Sequence, residues 1–391
     1  MKLKPLPLLL ASLSGALPAA AVHAEGTITL FGMAYGQFEN VSATGATNPA
    51  QDKPSRFRLS NVSSDLGVKG TLPLMDGVSG VFQYSTGVNV DNASNNTAGG
   101  MWANAKDTFV GLSIANVGTV KFGRLTGAAR WNSGTPDFSP AGAGPQDNQA
   151  ALSSISGQTG AGPLFNVRID NALGFESASW SGLSVRAYFG ANENKSAATV
   201  ASGSLLDDKS YSLGAQYVIG PVDLRGSYEI RNDKGTLNNT TTNRTKDKDY
   251  RFGVRYTLPD KATIVAFGYD RMSFLDQDAT AAQKTYIKKT GWVIGARHEF
   301  GQHVVYGGYG KAGDVSCSIA SGAVCDGGNT GGKQFVVAYN FTFNKQMLAE
   351  AYVSRVTNGT RGKYDFDSGG VGGIGAGSRP TAMGFGLRYT F

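Results

Sequence analysis

The chain has 391 residues, with 36 Lys and Arg against 29 Asp and Glu and a formal net charge of +7. The charges are scattered rather than gathered into one basic stretch, which argues against a nucleic-acid groove, and beyond the first 24 residues nothing approaches the roughly 18 uninterrupted apolar residues that a membrane-spanning helix needs. With 54 Gly, 20 Phe and 16 Tyr in a uniform texture free of Pro-rich hinges, one large β domain is expected rather than two or three ordinary domains.

Residues 1–24 read as a secretory signal. Lys2 and Lys4 supply a positive start, LLLASLSGAL an apolar middle, and Val22-His23-Ala24 a small-residue cleavage site. The mature domain is then 25–391, and losing the two lysines leaves 34 basic against 29 acidic residues, a net +5.

Along the rest of the chain, apolar and polar residues alternate in segments of about 9 to 13 residues, the length at which a tilted strand crosses a bilayer. The clearest lie at 27–38, 78–90, 118–125, 183–191, 210–219, 222–231, 250–258, 291–300, 333–343 and 383–391, and less regular ones near 62–72, 107–115, 171–180, 261–272, 302–312 and 346–357, sixteen in all. Tight turns at Pro73 to Gly77, Ala115 to Gly118, Ser181-Gly182, Gly220-Pro221, Pro259-Asp260, Gly301 and Asn344-Lys345 alternate with long polar loops near 40–55, 91–106, 126–170, 192–209, 232–248, 273–289, 313–332 and 358–380. Short turns on one side and long loops on the other are the asymmetry of an outer-membrane barrel.

Parity assigns the faces. In 222–231, Val222, Leu224, Gly226, Tyr228 and Ile230 form one set, and Asp223, Arg225, Ser227, Glu229 and Arg231 the other. A charge on the lipid side costs about 2–4 kcal/mol at mid-depth, so the same parity places Lys69, Lys121, Arg186, Arg251, Arg255, Arg297, Glu299 and Arg388 inside. An open sheet edge in lipid would leave backbone groups without partners. The strands are therefore expected to close, and about sixteen of them leave an aqueous lumen. A soluble β-sandwich whose polar parity faces water is the alternative that alternation alone leaves open.

Cys317 and Cys325 lie close together in a polar loop; in an exported chain a disulfide is expected, with a pair of free thiols as the alternative and no third ligand nearby for a metal. Beyond the signal only His298 and His303 remain, too few for a metal site or a catalytic triad, and no HExxH, GxSxG or CxxC accompanies them. Gly370 to Gly375 matches GxGxxG, but before a strand rather than between strand and helix, so it reads as a Gly-rich loop. Neither enzymatic activity nor a cofactor is expected.

The residues at this point resemble the trimeric general porins of Gram-negative bacteria over essentially the whole mature chain. GTITLFGMAYGQF looks like that family's first strand, SSDLGVKGTL like its second, DTFVGLSIANVGTVKFGRL like its fourth and fifth, RIDNALGFESASWSGL like its sixth, and GLRYTF like its last. The resemblance implies an all-β fold, a 16-stranded antiparallel transmembrane β-barrel of the outer membrane. It further implies a homotrimer of separate pores, and a third external loop, here 126–170, folded inward so that its acids face basic residues on the wall. Asp137 and Asp147 are the candidate acids, Arg130 and Arg168 the bases, and Lys69, Lys106, Lys121 and Arg388 the possible wall cations. Asp65 and Glu176 depart from the family, which usually has arginine at or near these places, so the charge ladder is thinned and the sign of ion selectivity stays open. Terminal Phe391 would be read by the barrel-insertion machinery. Outer-membrane lipid and lipopolysaccharide are the expected surroundings, and small hydrophilic solutes and ions the expected cargo of a passive channel. The second reading keeps the barrel and adds a binding site for small organic acids; an outer-membrane hydrolase and a secreted adhesin are more distant rivals.

Overall fold

In the computed structural model, residues 26–91, 102–155, 165–191, 206–234, 237–239 and 243–391 are described. The expected signal at 1–24 falls outside them. Their sheet is a closed, antiparallel, sixteen-stranded transmembrane barrel.

The strands run in chain order: β1 Thr27–Thr44; β2 Lys53–Asn61 continued by Asp65–Met75; β3 Val78–Val88; β4 Trp102–Ala105 continued by Thr108–Ile114; β5 Gly118–Thr126; β6 Arg168–Ser177; β7 Leu183–Gly190; β8 Ser210–Ile219. The second half is β9 Val222–Asn232; β10 Thr245–Thr257; β11 Thr263–Asp276; β12 Lys284–Phe300; β13 His303–Ala312 continued by Ser316–Ile319; β14 Gly332–Thr342; β15 Met347–Asn358; β16 Arg379–Thr390. Each pairs with its chain neighbours, and β1 pairs with β16 from Met33↔Thr390 to Thr44↔Arg379, which closes the cylinder. Gly32 and Phe391 exchange backbone hydrogen bonds of 3.1 Å just beyond that ladder, so the terminal residue completes the seam.

The outer face is the apolar parity. Ile28, Leu30, Phe122, Leu213, Phe252, Ile294, Val337, Phe385 and Leu387 are exposed on it, as strands facing hydrocarbon require. Near the short turns the same face carries exposed Tyr217, Tyr256, Phe300, Phe343 and Tyr389, amphipathic rings suited to a membrane boundary. Among the described residues no helix is long and apolar enough to cross a membrane. The tight turns fall where the sequence places them, with Gly77, Gly182, Gly220 and Gly301 all at positive φ.

Strand ends differ from the alternation pattern on the long-loop side. β1 continues to Thr44, β2 begins at Lys53, β10 at Thr245 and β12 at Lys284, so the connections expected at 40–55 and 273–289 shrink to 45–52 and 277–283. Lipid no longer selects apolar residues at that height, and backbone pairing alone holds the ladder there. β2 is interrupted at 62–64, where Ser63 has φ 57°. The Tyr35 N–H there donates to Ser64 Oγ at 2.8 Å instead of to a strand carbonyl.

Candidate functional site: the inner face and the β5–β6 connection

Because side chains alternate, charges two residues apart on a strand share the inner face, and the sequence repeatedly sets opposite signs there. Arg225 pairs with Asp223 at 2.8 Å, Arg231 with Glu229 at 2.6 Å, Arg251 with Asp249 at 2.5 Å and Arg297 with Glu299 at 2.5 Å. The two departures from the family pattern are paired as well: Asp65 receives Lys106 at 2.9 Å, and Glu176 receives Lys121 at 2.7 Å and the Tyr188 hydroxyl at 2.7 Å. Arg168, expected to oppose a loop acid, instead pairs with Asp107 at the base of the same connection. Lys69 sits 5.4 Å from the centroid of the Phe31 ring and has no ion-pair partner among the described residues.

The connection between β5 and β6 opens with a short helix, α1 (Ala128–Ser133), and carries a second, α2 (Ala150–Ser153). Its described residues hold little further secondary structure, so their carbonyls need donors from elsewhere, and the inner face supplies them. Arg255 donates to the carbonyls of Gly134 (2.7 Å), Thr135 (2.6 Å) and Asp137 (3.0 Å). Arg251 donates to Ala129 (3.1 Å), Arg388 to Pro140 (2.5 Å), Gln334 to Asp147 (2.6 Å), and Lys289 to Ala151 (2.5 Å) and Ser154 (2.9 Å). These donors stand on β10, β12, β14 and β16, so residues 129–154 are fastened across half of the wall. Two wall glycines permit the approach: a Cβ on Gly308 would collide with the Asn148 side chain, and one on Gly291 with the Ala151 carbonyl.

Asp137 and Asp147 are brought to this segment, but their carboxylates turn into it. Asp137 accepts from Ser139 N (3.0 Å), Ser139 Oγ (2.8 Å) and Gln149 Nε2 (3.3 Å). Burial nevertheless pushes its carboxyl up to about 6. Asp147 is wholly buried, accepts from Gln149 N at 2.7 Å through one oxygen and has no partner for the other. Burial, and then the neighbouring Asp137 and Asp367, raise it well above the usual carboxylate range. Arg130 donates to the Asn166 carbonyl at 2.6 Å, and burial followed by Arg168 lowers its proton affinity.

Several members of this arrangement have no local sequence signature. Trp131 lies under the Arg186 guanidinium, 3.8 Å from the ring centroid, with Arg225 at 4.8 Å from the same ring; Phe138 lies 5.2 Å from Arg255. Arg186 has no hydrogen bond or ion pair among the described residues, so its donor fork stays open. Behind the connection, Glu350 accepts from Tyr35, from Tyr306 (2.5 Å), and from Gln37 and Gln146 (both 3.0 Å), a neutral cage joining β1, β13, β15 and residue 146. Only Gln37 and Glu350 carried a signal that could have found them, a Glu or Gln on the inner parity of a strand with no opposite charge two residues away.

Cys317 and Cys325 form the disulfide. His298 and His303 lie on adjacent strands, His303 stacked on Phe300 at 5.2 Å, and no group of three or more metal-ligating side chains occurs among the described residues. Gly370 to Gly375 lies in coil ahead of β16, with no helix following it.

A family model described as Gram-negative porin matches residues 9–361. An outer membrane porin protein of Bordetella pertussis is 28% identical over 228 residues, 55% of this chain and 56% of that one, so the chain spans about half the length of this curated relative. Among solved structures, an anion-selective porin from Comamonas acidovorans superposes with a TM-score of 0.69 at 19% identity, covering 94% of this chain and 100% of that one. OmpT of Vibrio cholerae in its trimer form superposes with a TM-score of 0.65 at 14% identity, covering 94% and 99%. These two likenesses speak to the fold; the family model speaks to descent. The chain, a multi-pass β-barrel of the outer membrane, belongs to the Gram-negative porin family.

Proposed function

We propose that the protein is a passive channel for small hydrophilic solutes and ions, processed after residue 24, inserted with Phe391 as part of its assembly signal, and working as a homotrimer in a lipid and lipopolysaccharide membrane. The observation that carries this reading is the closed barrel with an apolar exterior and a charged interior, because a cylinder of about sixteen strands is too wide for its own side chains to fill. Residues 127–155, fastened to the inner wall, narrow it. Fixed charges in that narrowing, where water is scarce, select among ions.

The pairing pattern supports a mild preference for anions. Asp137 and Asp147 turn away from the lumen and most inner cations are neutralised, while Lys69 has no ion-pair partner among the described residues and Arg186 shares the single carboxylate of Glu176 with Lys121. Asp65, Lys106, Lys121, Glu176 and Arg388 act as paired or structural wall charges, with Arg130 holding the connection. The open donor fork of Arg186 on Trp131 favours the second reading, a weak station for small organic acids, since a stacked guanidinium matches a carboxylate in two parallel hydrogen bonds. No catalytic step is assigned to it.

The test is reconstitution in a planar bilayer. Ohmic steps and a reversal potential of anionic sign in a salt gradient are expected; a saturating current with small carboxylates would favour the station, and no conductance would overturn the channel.

A further inference from the structure

On the inner face of β12, three consecutive residues of one parity meet residues 151–155 of the connection. Ile287 is fully buried in an apolar cluster with Ile155, Phe165, Met272 and Phe274. Lys289, also fully buried, donates to the carbonyls of Ala151 and Ser154 at 2.5 and 2.9 Å and faces the buried Asp270 carboxylate of β11 at 3.6 Å. Gly291 has no side chain, and a Cβ there would collide with both the Ala151 carbonyl and Asp270. An apolar anchor, an ammonium and a gap thus follow one another at the two-residue spacing of the strand.

α2 has only four residues, so its last carbonyls have no partners of their own and need donors from outside. Arg255 and Gln334 hold residues 134–147 from β10 and β14, and Lys289 is the wall cation that donates to residues 151–154. Burying an ammonium is expensive unless it is paired and hydrogen-bonded; Asp270 and two carbonyls meet that requirement, and the two carbonyl contacts are lost if residues 151–154 leave the wall.

We propose that Lys289 is the positioning residue that fixes residues 151–155 of the inward segment, so that the open pore holds one conductance level. This rests on the reading of 127–155 as the narrowing element. When the ammonium is removed, residues 151–155 exchange between seated and lifted positions and the current follows them.

Three variants test it in planar bilayers. Lys289→Met combined with Asp270→Asn deletes the contact without leaving an unpaired buried charge, Gly291→Ala displaces the Ala151 carbonyl while keeping Lys289, and Lys288→Met alters the exposed neighbour of opposite parity as a control. Barrel formation is confirmed first by heat-modifiable mobility. The first two are expected to show a second conductance level, or a rise of about threefold or more in open-channel current variance, with Lys288→Met like the parent. A single parental level with parental variance in either folded variant would overturn the assignment. Failure of the parent itself to conduct would overturn the channel reading instead.

Discussion

Glu176→Gln is the substitution whose consequence follows most directly from the inner-face pairing. Glu176 neutralises Lys121 at 2.7 Å and lies opposite Arg186 in the β6–β7 ladder, so removing its charge leaves two cations facing the lumen. A unit charge about 7 Å from a passing ion acts at about 0.6 kcal/mol in water, and screening at 0.1 M halves this to about 0.3 kcal/mol. The anion gains that amount and the cation loses it, so the permeability ratio should move toward anions by about threefold. Reversal potentials in a salt gradient measure it. Lys121→Met on top of Glu176→Gln should return most of the shift. An unchanged ratio, or movement toward cations, would refute the placement of this pair at the narrowing.

Further outcomes follow from other parts of the wall. Leu213→Arg, on the exposed apolar parity of β8, should destabilise the folded barrel by about 2–4 kcal/mol in lipid vesicles, whereas Ser227→Arg, on the inner parity of β9, should be tolerated far better. Asp137 has its folded value raised to about 6 from 3.8, so its proton stabilises the seated segment below about pH 4 and that contribution is lost as pH rises through 6. Asp137→Asn should flatten the dependence of conductance on pH between 4 and 7, with bilayer recordings as the check. Excising part of 127–155 should raise single-pore conductance several-fold, measured in planar bilayers, since the wall is already closed by the pairing of β1 with β16.

The barrel was legible wherever lipid imposes a two-residue period. Val222 to Arg231 shows both faces in ten residues, and all sixteen strands have sequence segments that overlap them. Legibility ended where lipid ends. Lys53–Asn61 holds Phe57 and Leu59 in alternation, but Pro54 and two arginines mask it, and Lys284–Thr290 is too basic to read as strand until its hydrogen-bond partners are known. The inner site was legible as types of residue rather than as contacts. Lys106, Lys121, Asp65 and Glu176 were recognisable as wall charges, yet their mutual pairing depends on the stagger between strands, which one sequence does not display. Trp131, Lys289 and Gln334 were missed because each acts on a residue far away in the chain, where no local period connects them.

The central claim is that a closed ribbon of strands surrounds water from one membrane face to the other. Single-channel recording of the mature protein in a planar bilayer addresses it most directly: discrete ohmic steps arriving in groups of three are expected, and folded, membrane-inserted protein that passes no current in molar salt would contradict it.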